Sequence, residues 1–95
     1  MEIDTFVEVT RRVIATDGFD DYLPTICYPR RHYMTVIEGI PEGIDIEQAA
    51  LRMASRKAEA GEEYLVAFKI SHDHFKVVRR VGDVTEEGVY PVIDA

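Results

Sequence analysis

Two runs of alternating apolar and polar residues, separated by a short polar turn, constrain the fold of this 95-residue chain most strongly. Alternation with a period of two is typical of β-strands that bury one face. The turn, Ser71 to His74, is short enough to close residues 64–81 into an antiparallel hairpin. We expect both apolar sets on one side of this hairpin, in a register that pairs Ile70 with Phe75, Phe68 with Val77, Val66 with Arg79 and Tyr64 with Val81.

A weak internal echo places a similar pattern 42 residues earlier in the chain. Four residues recur at this spacing: Tyr22, Leu23, His32 and Val36 return as Tyr64, Leu65, His74 and Val78. The same closure predicts an earlier hairpin that pairs Tyr28 with Tyr33, Cys27 with Met34 and Ile26 with Thr35. The echo therefore predicts a doubled helix-strand-strand unit, residues 1–43 and 44–81, followed by an acidic arm, residues 82–95.

Each predicted hairpin follows a stretch with helical periodicity. Asp4 or Thr5 can cap a first helix that ends near Gly18, and Asp45, three residues before Gln48, can cap a second that ends before Gly61. The apolar stripe of the first helix comprises Phe6, Val7, Thr10, Val13 and Ile14. That of the second comprises Ile46, Ala49, Ala50, Met53 and Ala54.

Together these elements predict a single α+β domain over residues 1–95. The expected architecture is a two-layer sandwich in which two helices cover one face of an antiparallel sheet of four to five strands, in the order αββαββ(β). Pro24 and Pro91 favour sheet edges, because proline cannot donate a hydrogen bond to a neighbouring strand. Exposed edges make a homodimer the favoured assembly, and exchange of the last strand between two chains is an alternative.

The charge balance restricts the partners. Eleven basic against 18 acidic residues give a net charge of −7, which opposes binding to nucleic acid or to an anionic membrane. The chain has no apolar run long enough to span a membrane, and its first residues lack the pattern of a secretory signal. A single cysteine, Cys27, agrees with a reducing compartment, so we expect a cytoplasmic protein.

No arrangement of residues predicts catalysis, a metal or a cofactor. Cys27 is close in sequence to His32, but in the predicted register it faces Met34, so a buried, unreactive thiol is the simpler interpretation. His72 and His74 flank Asp73 in a turn, and the chain offers too few further ligands for a closed zinc site. No phosphate-binding glycine pattern is present.

The candidate binding residues lie on one predicted sheet surface and in two loops. Lys69 and Lys76 are expected to face each other on the outer side of the second hairpin, where an acidic partner or the chain's own carboxylates would neutralise them. Leu65, Val78 and Arg80 are expected on the same strip. The loop candidates are Arg30, Arg31 and His32 in one turn and His72 and His74 in the other, which would form an anion site only if both turns share one end of the sheet.

Two functional hypotheses follow from different classes. The first is a non-catalytic interaction or regulatory module that binds another protein, or a second copy of itself, through the sheet surface or an edge. The second is a small-ligand binder or enzyme with a cleft near Cys27, Arg31 and His32, lined also by Tyr22 and Tyr33.

Overall fold

A computed structural model describes residues 1–93 as two helices and a five-stranded antiparallel sheet. The predicted α+β class and the element order αββαβββ are confirmed. The helices are α1 (Ile3–Asp17) and α2 (Ile46–Lys57), and the strands are β1 (Thr25–Tyr28), β2 (Tyr33–Val36), β3 (Tyr64–Lys69), β4 (His74–Val81) and β5 (Val84–Pro91). A short 3-10 helix, Pro29–Arg31, joins β1 to β2. Asp94 and Ala95, the end of the predicted acidic arm, lie outside the described residues.

The two helices begin in different ways. The predicted cap of α1 at Asp4 or Thr5 is wrong, because the helix starts at Ile3 and Glu2 occupies the cap position without a side-chain hydrogen bond. The predicted cap of α2 is confirmed, since the Asp45 carboxylate accepts a hydrogen bond from the backbone N–H of Gln48 at 3.2 Å. Such a bond satisfies one of the N–H groups that the first turn of a helix leaves unpaired.

The sheet has the strand order β2-β1-β3-β4-β5, so β1, β3 and β4 lie inside it and β2 and β5 form its edges. The interpretation of Pro24 as an edge residue is wrong: it precedes β1, an inner strand, and its carbonyl accepts a hydrogen bond from Ile37 N–H at 2.8 Å. Proline is tolerated there because it stands at the very start of the strand, where only the return bond to Ile37 is lost. Pro91, by contrast, ends the edge strand β5.

The helices cover opposite faces of the sheet, which corrects the expectation that both pack on one face. α1 contributes Phe6, Val7 and Ile14 to a core with Cys27, Leu65, Ala67, Phe75 and Val77, and we call this side the α1 face. α2 contributes Ala50 and Ala54 to a second core with Ile26, Tyr28, Ile37, Tyr64, Val66, Phe68 and Val78, the α2 face. Successive strand residues point to opposite faces, so each helix packs on alternate residues of the same strands.

This arrangement explains why the predicted register of the second hairpin is wrong by one residue. Lys69, not Ile70, pairs with Phe75, and Val66 pairs with Val78. Residues 64–68 are all buried, so β3 has no polar side that could fix which of its residues face the core. Phe68 consequently lies on the α2 face, whereas Phe75 and Val77 lie on the α1 face.

The first hairpin forms as predicted, with Ile26 opposite Thr35, Cys27 opposite Met34 and Tyr28 opposite Tyr33. The two helix-strand-strand halves therefore share their element order but differ in hairpin register and in the face that their helix covers. Neither helix of the described residues is long and apolar enough to cross a membrane.

The last strand occupies most of the predicted acidic arm, residues 82–95. β5 begins at Val84 and pairs along its whole length with β4 of the same chain. Gly82, at φ +57°, is the first of two residues in the connecting turn, a position where glycine is favoured in tight hairpins. On the α1 face, Arg11 donates two hydrogen bonds to the Pro91 carbonyl, at 3.1 and 3.2 Å, and so ties the end of β5 to α1.

A sheet buried on both faces predicts that truncation is costly on either side. Leu65→Ala, beneath α1, should lower the free energy of unfolding by about 2–5 kcal/mol, and Phe68→Ala, beneath α2, by about 3–5 kcal/mol. Chemical denaturation followed by circular dichroism would measure both. The exposed Val84→Ala should change stability by less than about 0.5 kcal/mol. A small effect at Leu65 would contradict the burial of the α1 face.

Candidate functional site

The predicted surface strip is divided between the two faces of the sheet. Leu65 is fully buried beneath α1, and Lys69 lies on the same face, where its ammonium sits 4.8 Å from the centre of the Phe19 ring. Val78 is buried beneath α2, and Lys76 and Arg80 share that face. The strip was derived from the shifted register, so these residues do not form one surface.

Lys69 and Lys76 consequently do not face each other, and each has partners within the chain. The Lys69 ammonium lies 3.4 and 3.5 Å from the carbonyls of Phe19 and Asp20. The Lys76 ammonium lies 2.9 Å from Glu47 and 3.6 Å from Glu87. The hydrogen bond to Glu47, with further attraction from both carboxylates, raises the Lys76 pKa above its ordinary value. The chain's own carboxylates thus neutralise this position.

Arg31 is held by a buried carboxylate. Its Nε and Nη2 donate to the two Glu62 carboxylate oxygens, both at 2.8 Å, and Nη2 also donates to the Lys57 carbonyl at 2.9 Å. The guanidinium carbon lies 4.4 Å from the centre of the Tyr28 ring. The hydrogen bonds from Arg31, and one from Glu59 N–H, hold the Glu62 pKa below its ordinary value. Arg31 therefore joins the β1–β2 connection to the end of α2, while its neighbour Arg30 is exposed.

The histidines do not converge. β1 and β3 are antiparallel, so the turn after β1, with Arg30, Arg31 and His32, lies at the opposite end of the sheet from the turn after β3. His72 and His74 in that second turn flank Asp73 at 3.6 and 2.8 Å. Hydrogen bonds from His74 and from Ser71 lower the Asp73 pKa. The condition for a shared anion site is not met, and among residues 1–93 no group of three or more metal-ligating side chains is placed to hold an ion.

Cys27 lines the floor of an apolar cleft between α1 and β2. The cleft has a volume of about 590 Å³ and is lined by Met1, Thr5, Cys27, Pro29, His32, Tyr33 and Met34. The thiol itself belongs to the α1-face core and is only 3% exposed, and burial raises its pKa. No hydrogen bond joins it to His32 in the described part of the chain. Arg31 points away toward Glu62, and Tyr22 lines a separate cleft of about 270 Å³.

The free edge of β2 is an exposed apolar surface that the sequence alone does not identify. Tyr33, Met34 and Val36 are 47%, 41% and 51% exposed, although all are large and apolar. The whole strand, Tyr33–Val36, carries no charge. In the sequence, the absence of charged residues from Tyr33–Val36 could have indicated an unprotected strand edge. Only the strand order, however, identifies this strand as an edge.

The hydrogen bond from Ile37 N–H to the Pro24 carbonyl shows which backbone groups of β2 face outward. In an antiparallel pair, successive residues alternate between bonding the neighbour and pointing away from it. Thr35 and Tyr33, in step with Ile37, therefore bond β1, whereas the N–H and C=O groups of Met34 and Val36 point out of the sheet. Within residues 1–93, β2 has no second neighbour to receive them.

The other edge, β5, has the opposite character. Its centre carries Glu86 and Glu87, which are both exposed, and Glu86 pairs with Arg79 at 2.8 Å. Charged side chains on an edge strand discourage pairing with other chains. β5 has this protection, and β2 lacks it.

Comparison of this chain with protein-family models, with curated protein sequences and with solved structures finds no match.

The Arg31–Glu62 pair predicts a pH-dependent contribution to stability. A carboxylate whose pKa falls on folding stabilises the protein above its unfolded pKa, and this contribution is lost as the pH falls through the folded value. Glu62→Gln should therefore be less stable than the wild type near neutral pH, and the difference should narrow in acid. Urea denaturation at a series of pH values would measure it. The exposed Glu42→Gln is the control, and a gap for Glu62→Gln that widens in acid would contradict the prediction.

The burial of Cys27 predicts a slow thiol. A disulfide reagent that detects thiolates should label the native protein slowly and the urea-unfolded protein at the rate of an ordinary cysteine, because burial hinders access and raises the thiol pKa. Absorbance after reagent addition measures both rates. Rapid labelling of the native protein would instead indicate a reactive cysteine.

Proposed function

We propose that this chain is a non-catalytic protein-interaction module, and that a partner binds by adding an extended segment to the free edge of β2. The observation that carries the proposal is the uncharged β2 edge, where Met34 and Val36 present unpaired backbone groups beside exposed apolar side chains. Strand addition of this kind draws affinity from main-chain hydrogen bonds and specificity from pockets for alternate side chains.

The coverage of the sheet favours an edge over a face. α1 and α2 pack on opposite faces, and the central strands β1 and β3 are buried between them. A partner therefore has little open sheet surface to bind near the centre. The cleft between α1 and β2 adjoins the free edge through Tyr33 and Met34, and could accept one apolar side chain of the added segment.

The charge of the chain supports protein over nucleic acid as the partner. A net charge of −7 opposes contact with phosphates, and Arg31, one of the two arginines that precede β2, is already paired with Glu62. The cytoplasm is part of the proposal, because a single buried cysteine offers no internal disulfide.

A small-ligand binder is the second candidate, and the cleft of about 590 Å³ beside Cys27 is the observation that favours it. An enzymatic role has less support. The cleft is largely apolar, the thiol is buried within the core, and the nearest imidazole, His32, makes no hydrogen bond to it in the described chain.

The proposal predicts that partner capture depends on one edge of the sheet. Immobilised wild-type protein should retain a partner, either another protein from a cell lysate or a second copy of the chain. Val36→Glu should reduce the recovery of that partner by about tenfold or more, because a charge on the edge must be desolvated when a strand is added. Quantitative mass spectrometry measures the recovery.

Val89→Glu is the matched control, since Val89 is a similarly exposed valine, 54% against 51%, on the opposite edge strand. It should retain the partner. A protein that binds neither another protein nor a second copy of itself would overturn the proposal, as would a partner lost with Val89→Glu and kept with Val36→Glu.

A further inference from the structure

We infer that a second copy of this chain occupies the β2 edge, so that two five-stranded sheets join into one of ten strands. The inference rests on the function proposed above and names the partner of the same edge. It follows from the match of the strand to itself in backbone pattern, side chains and charge.

The backbone pattern allows one register that uses only residues of the strand. We consider two copies related by a two-fold axis normal to the sheet, which makes the two β2 strands antiparallel. Two conditions then apply. Residues that pair across the interface must have side chains on the same face of the sheet, and the pairs that exchange hydrogen bonds must be residues whose N–H and C=O groups point outward. Pairing Met34 with Val36 of the second copy meets both conditions, and by symmetry occurs twice. Each such pair exchanges two N–H···O bonds, so all the outward groups of Met34 and Val36 find partners.

The side chains agree with this register. Met34 and Val36, both on the α1 face, would contact each other across the interface and cover apolar surface that each copy leaves exposed. Thr35, on the α2 face, would lie on the axis opposite Thr35 of the second copy, and two threonines tolerate this placement. The flanks are also compatible, since Glu38 of one copy approaches His32, not Glu38, of the other.

The other edge does not match itself in this way. The hydrogen bond from Val92 N–H to the Asp73 carbonyl shows that the even-numbered residues of β5 bond β4, so the outward-pointing residues are Thr85, Glu87 and Val89. A symmetric pairing centred on Glu87 would place the Glu87 carboxylates of the two copies opposite each other. If the pairing is centred one residue earlier or later along β5, the Glu86 or the Glu87 side chains of the two copies come close together instead. Like charges in such positions are destabilising.

The size and charge of the interface predict how the dimer behaves. Four residues a side make a small interface, so dimerisation should depend on protein concentration. Each copy carries a net charge of −7, and the repulsion between copies is screened by salt. The dimer should therefore tighten as the ionic strength rises, whereas a complex held by complementary charges would weaken.

The test exploits the position of Thr35 on the axis. Thr35→Glu and Thr35→Lys should each be monomeric alone, because like charges meet across the interface, with the dissociation constant raised about tenfold or more. An equimolar mixture of the two variants should recover the dimer. Sedimentation velocity from about 1 µM to about 1 mM would measure this, since a small interface is expected to dissociate in that range. Circular dichroism of each variant checks that it folds, and Val89→Glu should behave as the wild type.

A second variant tests the register without adding charge. In a non-bonded antiparallel pair the Cα atoms lie about 4.5 Å apart, within the range that a disulfide spans. Thr35→Cys should therefore form a covalent dimer on oxidation, whereas Val89→Cys should not. Both are made in a Cys27→Ala background.

The outcomes separate this inference from the proposed function. A wild type that stays monomeric at every concentration and salt, or a dimer that both Thr35 charge variants leave intact, would overturn the second copy as occupant. If β2-dependent capture of another protein persists in that case, the interaction module stands. If the charge variants recover a dimer only when mixed and the Thr35→Cys dimer forms, the inference is upheld, whether or not the lysate supplies a further partner.

Discussion

The burial of β1 and β3 on both faces is the constraint from which the rest of the structure follows. Ile26, Leu65, Val66 and Ala67 have no exposed surface, so these strands need an apolar cover above and below. With one helix per half of the chain, the only way to supply both covers is to place α1 and α2 on opposite sides. The apolar side chains of the two central strands thereby determine a three-layer arrangement around an antiparallel sheet.

The same constraint explains where function can reside. Once both faces of the centre are covered, the accessible β structure is limited to the outer strands. The two edges have different chemistry: Glu86 and Glu87 lie on β5, whereas β2 carries only uncharged residues. Two ionic groups near the sheet are used internally, since Glu62 holds Arg31 and Glu47 holds Lys76. Along β2 the exposed groups are backbone and apolar side chains.

The local parts of this fold could be predicted from sequence, and the non-local parts could not. The Asp45 cap and the register of the first hairpin depend on residues close in the chain, and both were predicted correctly. The second hairpin was displaced by one residue because β3 is apolar at every position from Tyr64 to Phe68, and alternation then carries no information about register.

The candidate site could not be predicted from the sequence for a related reason. The predicted strip of Leu65, Lys69 and Lys76 depended on a hairpin register that is wrong by one residue. In the observed register Leu65 and Lys69 lie on the α1 face and Lys76 lies on the α2 face. Tyr33–Val36 has the composition of any short buried strand, and only its place at the end of the strand order exposes it. Pro24 predicted an edge but stands before an inner strand, because proline at the start of a strand loses only one ladder bond, the return bond to Ile37.

The position of α1 on its face of the sheet has a geometric consequence. The helix packs over β3, β4 and β5, and beyond the buried β1 it leaves Met34 and Val36 of β2 exposed. In a joined sheet, β3 of one copy and β3 of the other are five strand spacings apart, about 24 Å at about 4.8 Å each. The two α1 helices would then flank an open trough floored by Met34 and Val36 of both copies. Joining the sheets would therefore create a concave apolar surface that neither copy has alone.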